Sequence, residues 1–217
     1  MIPFIDVHSH NSDPKADTIC ICNIYPTDEV PSNTYFSVGI HPWYTSSSDE
    51  KGFERLEQLL SAENCLAVGE CGIDVLKGGP VSRQWQIFER QLHLAVRFQK
   101  PVIIHSVRAM QEILDLRRRF FPDHPFLFHG FNSRFPHRFI PDDNVYYSFG
   151  KALITSGPNA LRLIKNLDIS QILLETDASE ISIEEIYEAA CIHTGLSMDS
   201  LKIQLFENYK RLFKPLH

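Results

Sequence analysis

The chain has 217 residues, 43% hydrophobic and 22% charged, which is enough for one substantial core and too few for two. Lys and Arg number 21 against 27 Asp and Glu, a net charge of −6, which excludes the broad basic field of nonspecific nucleic-acid binders; a polyanionic substrate must be gripped locally. Five cysteines without Cys-x-x-Cys spacing exclude a disulfide framework and a structural zinc site, and no apolar run is long enough to span a bilayer. The opening MIPFIDVHSH lacks the features of a secretory signal, so a cytoplasmic protein is expected.

Eight short apolar runs read as strands: Ile2–His8, Thr18–Tyr25, Tyr35–His41, Cys65–Glu70, Pro101–His105, Phe126–His129, Val145–Ser148 and Gln171–Thr176. In the first, alternation places Asp6, His8 and His10 on one face, where two imidazoles can share a cation and the carboxylate can orient a ring. Helical spacings follow in Phe53, Leu56, Leu59 and Leu60, and in Trp85, Phe88, Leu92, Ala95 and Val96. Further stripes are Met110, Ile113, Leu114 and Leu116, then Ala160, Leu161, Ile164 and Leu167. Ile183, Ile186, Tyr187 and Ala190 suit a helix before Gly195, and Ser197 signals the start of the last one.

Strands alternating with helices imply an α/β fold, and eight strands a TIM-type β/α barrel formed by one domain over 1–217. Its beginning is shortened. NSDPKAD and PTDEVPSN are too short for crossover helices, so the first two helices are missing and the second strand is expected antiparallel to its neighbours.

The strand ends carry the polar groups. LAVGE ends in Glu70, PVIIH in His105, PFLFH in His129, and ILLETD runs out into Glu175, Thr176 and Asp177. On the C-terminal face of a β/α barrel, His8, His10, Glu70, His105, His129 and Asp177 would converge from five strands. Four imidazoles and two carboxylates, largely desolvated, need cations to pair them. Arg117, Arg118 and Arg119 at a helix end read as a solvated cap.

This ordered set resembles the TatD-related metal-dependent hydrolases of the amidohydrolase superfamily, nearly end to end. FIDVHSH is similar to the opening strand motif, VGIHPW to the Gly-x-His-Pro motif and VGECGID to the segment with the metal-bridging glutamate. QWQIFERQLHLAVRFQKPVIIH, FHGF, ILLETD and NYKRLF match the later segments. The resemblance implies that His8, His10 and Asp177 hold one metal, His105 and His129 another, with Glu70 bridging. It implies a catalytic Asp177 that accepts a proton from the attacking water, and a His41 that faces the substrate.

The implied activity is hydrolysis of phosphodiesters, as in deoxyribonucleases, with two divalent ions (Zn, Mn or Mg), DNA ends as substrate, no membrane and no obligate protein partner. Competing readings are an amidohydrolase-type enzyme for a small molecule and a noncatalytic metal-binding remnant. The chain departs from the family pattern at Val107, where His-Ser-Arg is usual and Arg108 follows one place later, and at Ala178-Ser179, where Ser-Pro is common. Arg108 and Arg134, with His137 and Arg138 nearby, are the candidates for holding phosphate.

Overall fold

A computed structural model describes residues 2–11, 15–31, 34–133 and 144–213. All eight strands form: β1 (Phe4–Ser9), β2 (Thr18–Ile24), β3 (Tyr35–Val38), β4 (Cys65–Asp74), β5 (Val102–Val107), β6 (Phe126–Phe128), β7 (Val145–Phe149) and β8 (Ile172–Leu174). Their order in the sheet is their order in the sequence, as consecutive β/α units produce. The helices are α1 (Glu50–Leu60), α2 (Val81–Arg97), α3 (Met110–Phe120), α4 (Pro158–Asn166), α5 (Ile183–Thr194) and α6 (Met198–Leu212). The described residues group into two compact units, 2–22 with 128–213, and 23–127.

In the first unit β1 and β2 pair in parallel, Phe4 beside Thr18 and Ile5 beside Ile19, which corrects the expected reversal of β2. The expectation assumed that a parallel return needs a helix. β1 has six residues, about 20 Å, whereas the eight residues between it and β2 reach about 26–29 Å when extended, so chain length alone permits the return. Phe4 N–H bonds the Asp17 carbonyl at 2.9 Å, marking where the chain arrives beside the start of β1. Among the described residues no helix lies between β1 and β2 or between β2 and β3.

Ile5, Val7, Ile21 and Leu173 are fully buried in this unit. The helices of the tail close it from outside. A capping box of Ser182 and Glu185 starts α5, Gly195 at φ 75° ends it, and Ser197 caps α6. Tyr187 on α5 accepts the Ile5 N–H at 3.0 Å, and Asn208 on α6 donates to the carbonyls of Ile169 and Ile172, both at 2.7 Å, fixing the approach to β8.

In the second unit β3, β4 and β5 pair in parallel. The buried face of α2 differs from the expected stripe: Gln84, Ile87, Phe88, Gln91, Leu92 and Ala95 are buried, while Val96 is exposed. The spacing is helical, but two positions of the buried face are glutamines bound to backbone groups, a pattern that an apolar count overlooks. Arg117 is likewise buried, not a solvated cap; its Nε donates to the His124 carbonyl at 2.8 Å. His124 Nε2 lies 2.9 Å from the Lys100 carbonyl, and burial holds this imidazole below its ordinary range.

Candidate functional site

In the unit of residues 23–127, Glu70 is not the end of its strand but lies within it. Between Val68↔Val102 and Cys71↔Ile104, β4 advances three residues while β5 advances two, and such a bulge re-aims the side chain it carries. Glycine is required on either side. A Cβ on Gly69 would sit 2.5 Å from the Ile103 carbonyl oxygen, and one on Gly72 2.1 Å from that of His105. Asn23 at the end of β2 accepts the Glu70 N–H at 2.7 Å and lies 3.3 Å from the Ser37 hydroxyl.

Glu70 Oε1 lies 2.7 Å from His105 Nδ1 and 3.1 Å from His41 Nε2. His41 is buried, and its Nδ1 accepts the Trp43 N–H at 3.2 Å, starting the 3₁₀ turn Pro42–Tyr44. The other nitrogen of His105 lies 3.4 Å from Asp74 Oδ2.

Asp74 was not singled out in the sequence, yet it organises this corner. Its Oδ2 accepts the Trp43 indole N–H at 2.7 Å, and its Oδ1 accepts Leu76 N–H at 2.9 Å and Lys77 N–H at 3.0 Å. Burial alone would raise this carboxyl, but the donors, Trp43 foremost, outweigh it and hold the group below the usual carboxylate range. Two glutamines of α2 support the corner from behind. Gln84 accepts Asp74 N–H at 2.8 Å and donates to the Asp74 carbonyl at 3.0 Å. Gln91 does the same for Ile40, at 2.7 and 3.1 Å, just before His41.

In the unit of residues 2–22 and 128–213, the segment after β8 is laced to β1. Asp177 N–H bonds the His8 carbonyl at 2.9 Å and His10 N–H bonds the Asp177 carbonyl at 3.1 Å. With φ 53° at Asp177, its Oδ1 lies 3.8 Å from His8 Nε2 and 3.5 Å from His10 Nε2. Asp6 uses both carboxylate oxygens on Thr176, accepting its N–H at 3.0 Å and its hydroxyl at 2.7 Å. It therefore secures the backbone that presents Asp177. Burial pushes the Asp6 carboxyl up to about 7 despite these bonds. The register of β1 against β2 shifts between Asp6 and Ser9 and interrupts the strict alternation, yet His8 and His10 converge on Asp177 as expected of a shared face.

His129 follows β6, its Nδ1 3.6 Å from Glu175 Oε1 and its ring 4.5 Å from that of His8. The buried Glu175 accepts Gly130 N–H at 2.6 Å and the Ser148 hydroxyl. Burial would raise it, but hydrogen bonding with His129 and Ser148 and the charge of nearby imidazoles hold it low. Its place in ILLETD was visible in the sequence; its use as a support for this segment was not.

The donor sets fit divalent cations. His8, His10 and Asp177 each bring one ligand atom within 4.8 Å of the others, and so do His41, Glu70 and His105. Donors on one tetrahedral cation with bonds of about 2.0–2.1 Å stand about 3.3 Å apart, close to the imidazole–Asp177 separations. Arg108 is exposed at φ 58°, one residue beyond Val107, which is in register with Asp74; Arg134, His137 and Arg138 lie outside the described residues.

A family model described as TatD related DNase matches residues 7–214. A human protein named 3'-5' RNA nuclease TATDN2 is 27% identical over 202 residues, 88% of this chain and 26% of its own, so this chain spans about a quarter of that relative. An uncharacterized metal-dependent hydrolase from Haemophilus influenzae is 28% identical over 206 residues, covering 84% of this chain and 78% of that one. The crystal structure of YJJV, a TatD homolog from Escherichia coli, matches with TM-score 0.82 at 23% identity over 98% of this chain and 99% of that one, which establishes a shared TIM-type β/α fold. Among the described residues no helix is long and apolar enough to cross a membrane. With the family's model matching from the first histidine strand to the last helix, the chain belongs to the TatD-related DNase family of metal-dependent hydrolases.

Proposed function

We propose that this chain, as one domain, hydrolyses phosphodiester bonds at the ends of nucleic acid, using two divalent ions of Zn, Mn or Mg. The observation that carries the reading is the cluster of His8, His10 and Asp177 at ligand spacing; within the unit of residues 23–127, Glu70 stands 2.7 Å from His105. His8, His10 and Asp177 are assigned to one ion, His105 and His129 to the other, and Glu70 to both. Bound divalent ions supply the charge that acidifies a water and polarises a phosphoryl oxygen. Asp177, whose carboxylate is partly exposed, takes the proton of the attacking water. His41 steadies Glu70 through Nε2 and lines the substrate side.

The nuclease named among the relatives supports a nucleic-acid substrate. With a net charge of −6, and with valine where the family has arginine, the grip on phosphate is local, through Arg108 and Arg134. The test is metal analysis of the purified chain together with turnover of DNA and RNA oligonucleotides and of a small activated phosphodiester. Activity should vanish with chelator and return with metal. A protein verified to hold two ions that cleaves none of these substrates would overturn the reading.

A further inference from the structure

Beside His41, within the unit of residues 23–127, lies a cavity of about 370 Å³ whose walls include Tyr25, Tyr44, Ser47, Asp49 and Gly52. This is at the small end of the range for ligand sites, about 300–1,000 Å³, and suits one ring system. We propose that it is a nucleobase subsite, taking the base of the nucleotide next to the scissile phosphate. The proposal rests on the nucleic-acid reading above and adds where a base is held.

Three observations carry it. The first is chemical: Tyr25 and Tyr44 meet edge to face at 5.3 Å, His41 forms another wall, and among the described residues no Lys or Arg lines the space. Such a lining takes a flat uncharged ring and, with Asp49 present, disfavours phosphate. The second is that the walls are already built. Tyr25 N–H bonds Asp28 Oδ2 at 2.8 Å and Asp28 N–H returns to the Tyr25 carbonyl at 3.0 Å, closing one rim as a turn. On the other, the Ser47 and Ser48 hydroxyls donate to the carbonyls of Tyr44 and Thr45, at 2.9 and 2.8 Å. With those protons engaged, the polar wall presents oxygen acceptors, which match the exocyclic amine of a base.

The third observation is Gly52. It stands in the first turn of α1, where glycine is a poor helix former, and a Cβ there would meet only Asp49 Oδ1, at 3.5 Å, an ordinary contact. The fold does not require glycine at this position, and the missing side chain leaves this part of the cavity wall open.

The experiment compares a DNA trinucleotide with the same molecule carrying an abasic residue next to the scissile phosphate. It is run on the metal-loaded wild type, on Gly52→Leu, which fills the cavity, and on Tyr44→Leu, which removes an aromatic wall. The wild type should favour the intact substrate in kcat/KM by about tenfold to a hundredfold, the range for one stacked base, and both variants should bring that ratio close to one. Adenosine, titrated by protein NMR, should perturb wild-type signals of this wall and not those of Gly52→Leu. Melting curves verify folding, and if Gly52→Leu fails to fold, Tyr44→Leu carries the same comparison. A wild-type ratio near one, or a ratio retained in the folded variants, overturns the subsite while leaving phosphodiester hydrolysis standing. Adenosine binding that is lost in the variants of a protein cleaving neither oligonucleotide would leave the subsite and overturn the hydrolysis. Absence of both would overturn both.

Discussion

Replacing Asp74 by Asn probes the corner behind His105 with the smallest change of shape. The carboxylate takes three hydrogen bonds, from Leu76 and Lys77 N–H on Oδ1 and from the Trp43 indole on Oδ2, and Oδ2 also faces His105 Nε2. If the amide oxygen of Asn keeps the two backbone donors, its NH₂ group must stand where Oδ2 was, donor against donor toward both Trp43 and His105. The loss is one charge-assisted hydrogen bond, about 1.5–3 kcal/mol, and the partial exposure of Trp43 lets water recover some of it, leaving about 2 kcal/mol. For a chain of this size that is a fall of about 4–8 °C in Tm. His105 also loses the acceptor that orients its ring, so affinity for a divalent ion should drop about 10–100-fold. Thermal unfolding in chelator reads the first effect and Zn titration against a competing chelator the second. Trp43→Phe, which leaves a carboxylate that water can reach, should cost less than Asp74→Asn in both. An Asp74→Asn protein within 1 °C of wild type and with unchanged metal affinity would refute the assigned role.

His124 is held below its ordinary pKa, so the unfolded chain takes up that proton first. Its contribution to stability is complete above about pH 6.5 and is lost as pH falls below that value. His124→Gln, whose amide can still donate to the Lys100 carbonyl, should flatten the fall in denaturant midpoint between pH 7 and 5; an unaltered slope would contradict this. Glu70→Gln should lower occupancy of both ions together in metal analysis, and retention of two ions at full occupancy would remove the bridging assignment. Asp177→Asn should keep the fold by circular dichroism and lose about 10²–10⁴-fold in rate with metals verified, whereas undiminished turnover would end its role as proton acceptor.

All eight strands and the principal helices were legible because they rest on apolar runs and periodic stripes, which burial rewards directly. The direction of β2 was not: the crossover rule counts residues for a helix, while an extended return needs only reach, as the bond from Phe4 to Asp17 illustrates. Histidines and carboxylates at strand ends announced candidate ligands, yet the groups that hold them did not announce themselves. Asn23, Gln84 and Gln91 bond to backbone groups and leave no periodic trace, and Gln84 and Gln91 interrupt the apolar pattern of α2 that was read from Trp85 and Val96. Asp74 lies within VGECGID, but only the loop that follows reveals why a carboxylate stands there.

The two glutamines of α2 stand two turns apart on one helix face, and each closes a ring with a single residue of the corner, Gln84 with Asp74 and Gln91 with Ile40. The amide protons of those two residues are therefore sheltered by the same piece of secondary structure, though 34 positions separate them in sequence (74 − 40). Under conditions where exchange reports opening free energy, both should exchange with the free energy for detaching α2 and should gain or lose protection together when the helix is strengthened or weakened at its exposed positions. The segment before His41 and the loop after Asp74 then loosen as one cooperative unit.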